Sequence, residues 1–134
     1  MILRNNYEFN KETVHGFVKE HSIKTNANVH KEANYVINID LKNFFDTIHF
    51  GRVRGMFMKS PFNFSDYIAT NLAKVACYEK KLPQGAPTSP TISNIICYRM
   101  DRELAHLCTK YNCRYTRYAD DITISTKMLY LPKE

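Results

Sequence analysis

Two short runs near the end of the chain alternate between apolar and polar residues. CRYTRYA (113–119) and ITIST (122–126) have the two-residue period of β-strands, and they join at Ala119, Asp120 and Asp121. A connection this short links antiparallel neighbours, because parallel strands need a crossover of a dozen or more residues. The chain is therefore expected to contain a β-hairpin, which argues against a doubly wound parallel sheet.

A further strand and a short helix are predicted ahead of the hairpin. NYVINIDL (34–41) is rich in β-branched residues and predicts a buried strand that ends near Asp40. Residues 11–22 are polar and predict a loop, and Ser22 is a candidate N-terminal cap for a helix to about Val29.

Three longer helices are indicated by apolar residues at helical spacing. One is predicted from Asp46 to about Lys59 and another from Ser65 to Cys77, and both are expected to pack on a face of the sheet. A loop (78–90) precedes the third helix. Their apolar residues are Ile48, Val53, Met56 and Phe57 in the first, Ile68, Leu72 and Val75 in the second, and Ile92, Ile95, Ile96, Met100, Leu104 and Leu107 in the third. The order of strand, helices and hairpin predicts an α+β fold.

Composition sets broad limits on what the chain does. Its 134 residues suit a single unit, and a net charge of +6 favours polyanionic partners, although a solvated basic surface has the same composition. The four cysteines contain no C-x-x-C pair, and there is no secretory signal or membrane-spanning run. We therefore expect a cytoplasmic protein with free thiols and no membrane partner.

The acidic residues at the strand ends require an explanation. Asp120 and Asp121 could be ordinary turn residues, because aspartate bonds its own backbone amides in turns. Asp40 ends a separate strand, however. If that strand lies beside the hairpin, three carboxylates converge at one end of the sheet, where they would repel each other without counter-charge. Hard carboxylate oxygens without histidine or cysteine partners suit Mg²⁺, which predicts a metal site here.

Three motifs in order, IDLKNFFD (39–46), LPQGAPTSPTISN (82–94) and YADD (118–121), resemble the reverse transcriptase family, most closely its bacterial retron type. The resemblance implies a polymerase palm-like antiparallel sheet backed by helices. Residues 1–33 would be a partial fingers segment and 34–134 the palm, with no thumb.

The resemblance also implies roles for individual residues. Asp40, Asp120 and Asp121 match the catalytic acids that hold two Mg²⁺ ions, with the backbone carbonyl of Leu41 as a further ligand. Phe45 matches the aromatic gate beneath the sugar of the incoming nucleotide, where its ring would exclude a 2′-hydroxyl.

Further residues are candidates for binding nucleotide or nucleic acid. Phe44 is adjacent to Phe45, so one of the two rings is expected in the core and the other at the site. Gln84 and Gly85 match a loop that packs against nucleotide and template, although an ordinary Pro-Gly loop has a similar sequence. Lys19 and Lys24 are candidates for contacting the triphosphate, although lysines in a polar loop are usually just solvated. Arg117 and Tyr118 are candidates for contacting the primer.

Taken together, the motifs indicate an RNA-directed DNA polymerase that adds deoxynucleotides to a primer 3′-hydroxyl. The expected partners are an RNA template, a DNA or RNA primer and dNTPs, with a structured non-coding RNA and a role in phage defence implied by the retron resemblance. An alternative is an inactive or split remnant that only binds nucleic acid or needs a complementing thumb chain.

Overall fold

The computed structural model describes residues 12–130. Within them lie five helices and three strands, which confirms the predicted α+β class. The elements are α1 (Ile23–His30), β1 (Tyr35–Asp40), α2 (Phe44–Thr47), α3 (Phe50–Met58), α4 (Asp66–Ala76), α5 (Ser89–Lys110), β2 (Cys113–Tyr118) and β3 (Asp121–Thr126). Residues 1–11 of the predicted fingers segment lie outside the described residues, and the predicted boundary at residue 34 stays a prediction.

The described residues form two compact units. We call residues 43–98 the helical unit, and residues 12–42 with 99–130 the sheet unit. The helical unit contains α2, α3, α4 and the first half of α5. The sheet unit contains α1, all three strands and the second half of α5.

The three strands form one antiparallel sheet in the order β1-β3-β2. The predicted hairpin is therefore confirmed, since β2 and β3 pair from Cys113 opposite Thr126 to Tyr118 opposite Asp121. On the other side of β3, β1 pairs along its whole length. The outer edge of β2 is also bonded, because Val14 forms an isolated parallel bridge to Arg117.

The core of the sheet unit lies between the sheet and the second half of α5. Its centre is Cys108 on the helix with Tyr115 and Ile122 on the strands. Partly buried apolar residues surround it: Leu41, Met100, Leu104, Ala105, Cys113 and Ile124. The predicted apolar stripe of this helix is thus confirmed in Met100 and Leu104, whereas Leu107 is exposed.

The predicted burial of the first strand is wrong. All six residues of β1 are exposed, including Val36, Ile37 and Ile39, with 59% of Ile37 accessible. β1 is an edge strand, and the described part of the sheet unit places core residues over β2 and β3 instead. Its β-branched residues correctly predict a strand, but they do not indicate how deeply that strand is buried.

The predicted helix from Asp46 to Lys59 is interrupted within the helical unit. α2 ends at Thr47 and α3 begins at Phe50. Between them, the Ile48 carbonyl accepts a hydrogen bond from the Leu82 amide, and the Phe50 amide donates to the Lys80 carbonyl. These bonds replace intrahelical ones at the break, so a loop distant in sequence overrides the local helical pattern.

The predicted helix from Ser65 to Cys77 is confirmed as α4, with the Ser65 side chain capping its N-terminus. Its buried face is different from the prediction. Ala69, Ala73 and Ala76 are buried, whereas the predicted face is exposed. α4 packs against α3, and small alanine side chains at i, i+4 and i+7 permit close approach of two helices. The exposed residues are Ile68, Leu72 and Val75.

Two further expectations concern the chain as a whole. All four cysteines lie in the described part of the chain, and no disulfide joins any of them. Burial raises the pKa of the Cys108 thiol, which favours its protonated form. No helix between residues 12 and 130 is long and apolar enough to span a bilayer.

Candidate active site

The strand ends of the sheet unit bring the predicted catalytic aspartates together. Asp40 is the last residue of β1, and Asp121 is the first residue of β3. The two are directly opposite each other in the antiparallel register. Directly opposite residues share one face of a sheet, so both side chains start from the same side.

Asp120 is held beside this pair by the backbone. It occupies the two-residue turn between β2 and β3, and its carbonyl accepts a hydrogen bond of 3.0 Å from the Leu41 amide. This bond extends the β1–β3 ladder by one step beyond Asp40. The chain segment from Asp40 to Leu41 is therefore fixed against the turn from Asp120 to Asp121.

The turn itself has a strained backbone at Ala119. Its φ of 57° lies in the left-handed region, which costs a residue with a Cβ about 1 kcal/mol or more relative to glycine. Gly16 lies against this turn, because a Cβ built on Gly16 would be only 2.2 Å from the Ala119 nitrogen. The loop before α1 therefore packs directly on the backbone that presents Asp120.

Arg117 faces the protein interior rather than nucleic acid. Its side chain is 0% exposed, and its Nε and Nη2 each donate to a carboxylate oxygen of Asp101 at 2.7 Å. The predicted primer contact by Arg117 is therefore corrected, since a fully enclosed guanidinium cannot reach a ligand. The two-residue period of the strand places Arg117 on the same side of β2 as buried Tyr115.

The three carboxylates are not neutralised by the described protein. No hydrogen bond or ion pair to a described residue involves the side chains of Asp40, Asp120 or Asp121. Within residues 12–130, no three His, Cys, Asp or Glu side chains already form a metal-ligating cluster. The three aspartates therefore match Mg²⁺ in the chemistry of their hard oxygen donors, while the described side chains do not form a finished ligand group.

The predicted nucleotide-binding residues of the helical unit have different environments. Phe44 is buried and Phe45 is half-buried, with the two rings edge to face at 5.1 Å. Gln84 is exposed in the loop before α5. Gly85 has a φ of 87°, a conformation that glycine adopts without strain, and a Cβ there would meet nothing within 4 Å.

The remaining predicted contacts lie in the sheet unit. Lys19 and Lys24 are exposed, in the loop before α1 and in α1 respectively, and Lys19 lies 4.0 Å from Glu20. Tyr118 is half-buried immediately before the turn, while Arg114 is exposed and donates to the Val29 carbonyl at 2.6 Å. Tyr118 is thus the hairpin aromatic that remains accessible beside the aspartates.

A buried histidine supports the other face of the hairpin. The ring of His30 bonds to the Ser125 hydroxyl at 2.6 Å and to the Thr116 hydroxyl at 2.8 Å. Burial lowers the pKa of His30, and the charge of Arg114 adds to this effect. The neutral ring therefore links α1 to both strands of the hairpin.

Sequence reasoning missed the Asp101–Arg117 pair, although the pattern contains a signal for it. Asp101 follows Cys97 by four residues and precedes Cys108 by seven, which places it on one helix face with two buried residues. Arg117 is two residues from buried Tyr115 and thus on the same face of β2. A buried acid on the helix and a buried base on the strand together predict an ion pair.

Comparison with known proteins bears on this arrangement of acids. A family model described as "Reverse transcriptase (RNA-dependent DNA polymerase)" matches residues 1–130. The chain belongs to the reverse transcriptase family. Its retron-type resemblance is also confirmed, because curated retron reverse transcriptases align over most of its length.

Three of these relatives illustrate the extent of the similarity. The retron Ec86 reverse transcriptase of Escherichia coli is 40% identical over 85% of this chain and 35% of its own length. The retron Mx162 reverse transcriptase of Myxococcus xanthus is 38% identical over 89% of this chain and 28% of its own length. The retron Ec73 reverse transcriptase of Escherichia coli is 39% identical over 92% of this chain and 44% of its own length. This reverse transcriptase chain thus spans less than half the length of each.

Proposed function

We propose that this chain is the fingers-palm portion of an RNA-directed DNA polymerase that adds deoxynucleotides to the 3′-hydroxyl of a primer. The observation that carries the proposal is the pairing of Asp40 opposite Asp121, with the Leu41 amide bonded to the Asp120 carbonyl. These are the acids of the first and last family motifs, and they meet although about eighty residues separate them.

Asp40 and Asp120 would hold two Mg²⁺ ions, together with the Leu41 carbonyl, while Asp121 adds negative charge beside them. When bound, such ions activate the attacking hydroxyl and stabilise the leaving oxygen of an in-line phosphoryl transfer. The protein contributes the alignment of the strand ends. Because no described residue is hydrogen-bonded or ion-paired to these carboxylates, we propose that they are available as ligands.

Nucleotide selection is proposed for residues of the second motif and for the phenylalanine pair. Phe45 remains half-buried while Phe44 is in the interior, which supports Phe45 as the ring beneath the sugar. Gln84 offers an exposed amide, and Gly85 leaves open space for close approach of a ligand to the backbone. Lys19 and Lys24 are exposed candidates for the triphosphate.

The proposed partners are an RNA template, a primer and dNTPs, with Tyr118 as a stacking contact for the primer. The relatives are retron enzymes by name, so we propose a structured non-coding RNA as the template. The basic balance of the chain, +6, favours association with such a polyanion.

Primer extension tests the proposed function. Purified chain would be incubated with a primed RNA template, dNTPs and Mg²⁺, alone and together with the C-terminal remainder of a retron relative as a separate chain. Asp120→Asn should abolish extension, because it removes one negative charge and one metal ligand without changing side-chain size. Asp66→Asn is the matched control, since Asp66 is an exposed aspartate of α4 in the helical unit.

Extension that persists with Asp120→Asn at the parental rate would reject the assigned site. Absence of extension by the parent chain under both conditions would reject the polymerase proposal. Extension only with the added remainder would show that the catalytic acids are competent and that duplex binding is supplied by another chain.

A further inference from the structure

One guanidinium connects α5 to the turn that carries Asp120. Arg117 donates through Nε and Nη2 to both oxygens of Asp101, and through Nη1 to the Ala119 carbonyl, each at 2.7 Å. The Tyr115 hydroxyl donates to the same carboxylate at 2.7 Å. Arg117 and Asp101 are 0% and 3% exposed, so the whole network is enclosed.

The geometry of the network matches the specific properties of arginine. Its planar group presents five N–H donors in fixed directions, so one side chain can bind a carboxylate bidentately and a carbonyl at the same time. Lysine, with a single ammonium group, cannot reproduce both contacts in one plane. The carbonyl that receives the third contact belongs to Ala119, which has the left-handed φ of 57°.

Stability alone does not account for this arrangement. A buried ion pair loses the hydration of both charges, and apolar residues of similar volume often stabilise a protein equally well. The Ala119 hydrogen bond is the contribution that an apolar pair could not replace. It restrains the residue immediately before Asp120, whose own carbonyl is bonded to the Leu41 amide.

We propose that Arg117 and Asp101 are positioning residues of the active site, which fix the Ala119–Asp120 turn so that the Asp120 carboxylate stays aligned with Asp40. The proposal rests on the proposed polymerase function for its catalytic consequence. Neither residue contacts substrate in this role. Their effect reaches the reaction through the backbone of the turn.

A paired replacement separates positioning from stability. The double variant Asp101→Leu/Arg117→Met removes both buried charges together, so neither is left uncompensated, and it also removes the donor to Ala119. The matched control is Arg99→Met/Glu103→Leu, which makes the same kinds of exchange at the exposed ion pair of α5. Melting temperature, primer extension kinetics, Mn²⁺ binding and hydrogen exchange of the Leu41 amide would be measured for each.

We expect the double variant to stay folded with a lowered melting temperature, because the buried Tyr115 hydroxyl and Ala119 carbonyl lose their hydrogen bonds to Asp101 and Arg117. Its kcat should fall about 10²-fold, since small misplacements of catalytic groups have effects of this size. The KM for dNTP should change little, because the nucleotide-binding residues are intact. Mn²⁺ affinity should fall about tenfold, as for other residues that orient metal ligands. The Leu41 amide should exchange faster, whereas the control should resemble the parent in all four measurements.

Parental kcat, Mn²⁺ affinity and Leu41 exchange in a folded double variant would overturn the proposal. Should the double variant fail to fold, Arg117→Lys takes its place, because it retains the charge opposite Asp101 and loses the planar contact to Ala119. An inactive parent chain would count against the polymerase function alone. Leu41 exchange and Mn²⁺ binding would then still decide whether Arg117 and Asp101 position the turn.

Discussion

Replacing Gly16 with alanine tests how closely the loop before α1 packs on the turn of Ala119 and Asp120. The new Cβ would lie 2.2 Å from the Ala119 nitrogen, 3.0 Å from the Tyr118 carbonyl carbon and 3.1 Å from the Ala119 Cα. Ordinary contacts of a Cβ are about 3.4 Å or longer, so the loop or the turn must move by roughly 1 Å. All three obstructing atoms are backbone, so no side-chain rotation can relieve the overlap.

The expected cost follows from this forced movement. Overpacking of a well-packed site destabilises a protein by about 1–3 kcal/mol, and we expect Gly16→Ala to lower the free energy of unfolding within this range. Gly55→Ala is the matched control, because a Cβ there meets nothing within 4 Å. Gly55 lies inside α3, where alanine should stabilise the helix by about 0.5–1 kcal/mol.

Urea unfolding of the two variants and the parent would measure these opposite shifts. Primer extension by Gly16→Ala should also fall, because the displaced atoms belong to the residue before Asp120. An unfolding free energy for Gly16→Ala equal to or above that of the parent would refute the close packing of this loop on the turn.

Three further predictions concern the sheet unit. Burial lowers the pKa of His30, so the unfolded chain binds the proton more readily than the folded chain below about pH 6.5. The free energy of unfolding should therefore fall as pH decreases, by up to about 1.4 kcal/mol per pH unit. Urea midpoints at pH 7.5 and 5.5 should show a smaller difference for His30→Gln than for the exposed-residue control His106→Gln. Mg²⁺ should raise the melting temperature of the parent, because a ligand that binds only the folded state stabilises that state. The increase should be smaller for Asp40→Asn. Ile37→Thr should reduce concentration-dependent light scattering with little change in melting temperature, since Ile37 is 59% exposed on an edge strand; unchanged scattering would show that this edge does not drive association.

The hairpin and the longest helix could be predicted because local pattern and tertiary structure agree there. The alternation of residues 113–119 and 122–126 is repeated in the observed pairing of β2 with β3. The position of Asp40 at the end of a strand was also predicted, whereas the pairing of that strand with β3 across about eighty residues was only a condition of the predicted metal site. These features depend on short-range periodicity, which a single sequence contains.

Other features depend on contacts that local periodicity does not contain. The break at Ile48 arises from bonds to Lys80 and Leu82, more than thirty residues away. Gly16 occupies a polar loop whose sequence does not indicate that it touches the turn at Ala119. The inward direction of Arg117 does not follow from the alternation of the hairpin alone, because alternation defines two faces without identifying which one is buried; the position of Asp101 on α5 is the additional signal.

The alignment of β1 with β3 makes the proposed reaction centre sensitive to chain length as well as to composition. Asn38 accepts a hydrogen bond from Thr123, and the Asn34 amide donates to the Thr126 carbonyl, so the ladder is anchored on the N-terminal side of Asp40. Inserting one residue between Tyr35 and Asp40 would transfer the acid to the opposite side of the pleat while every acidic group was retained. An in-frame insertion of a single codon there should therefore be as damaging as loss of the aspartate itself.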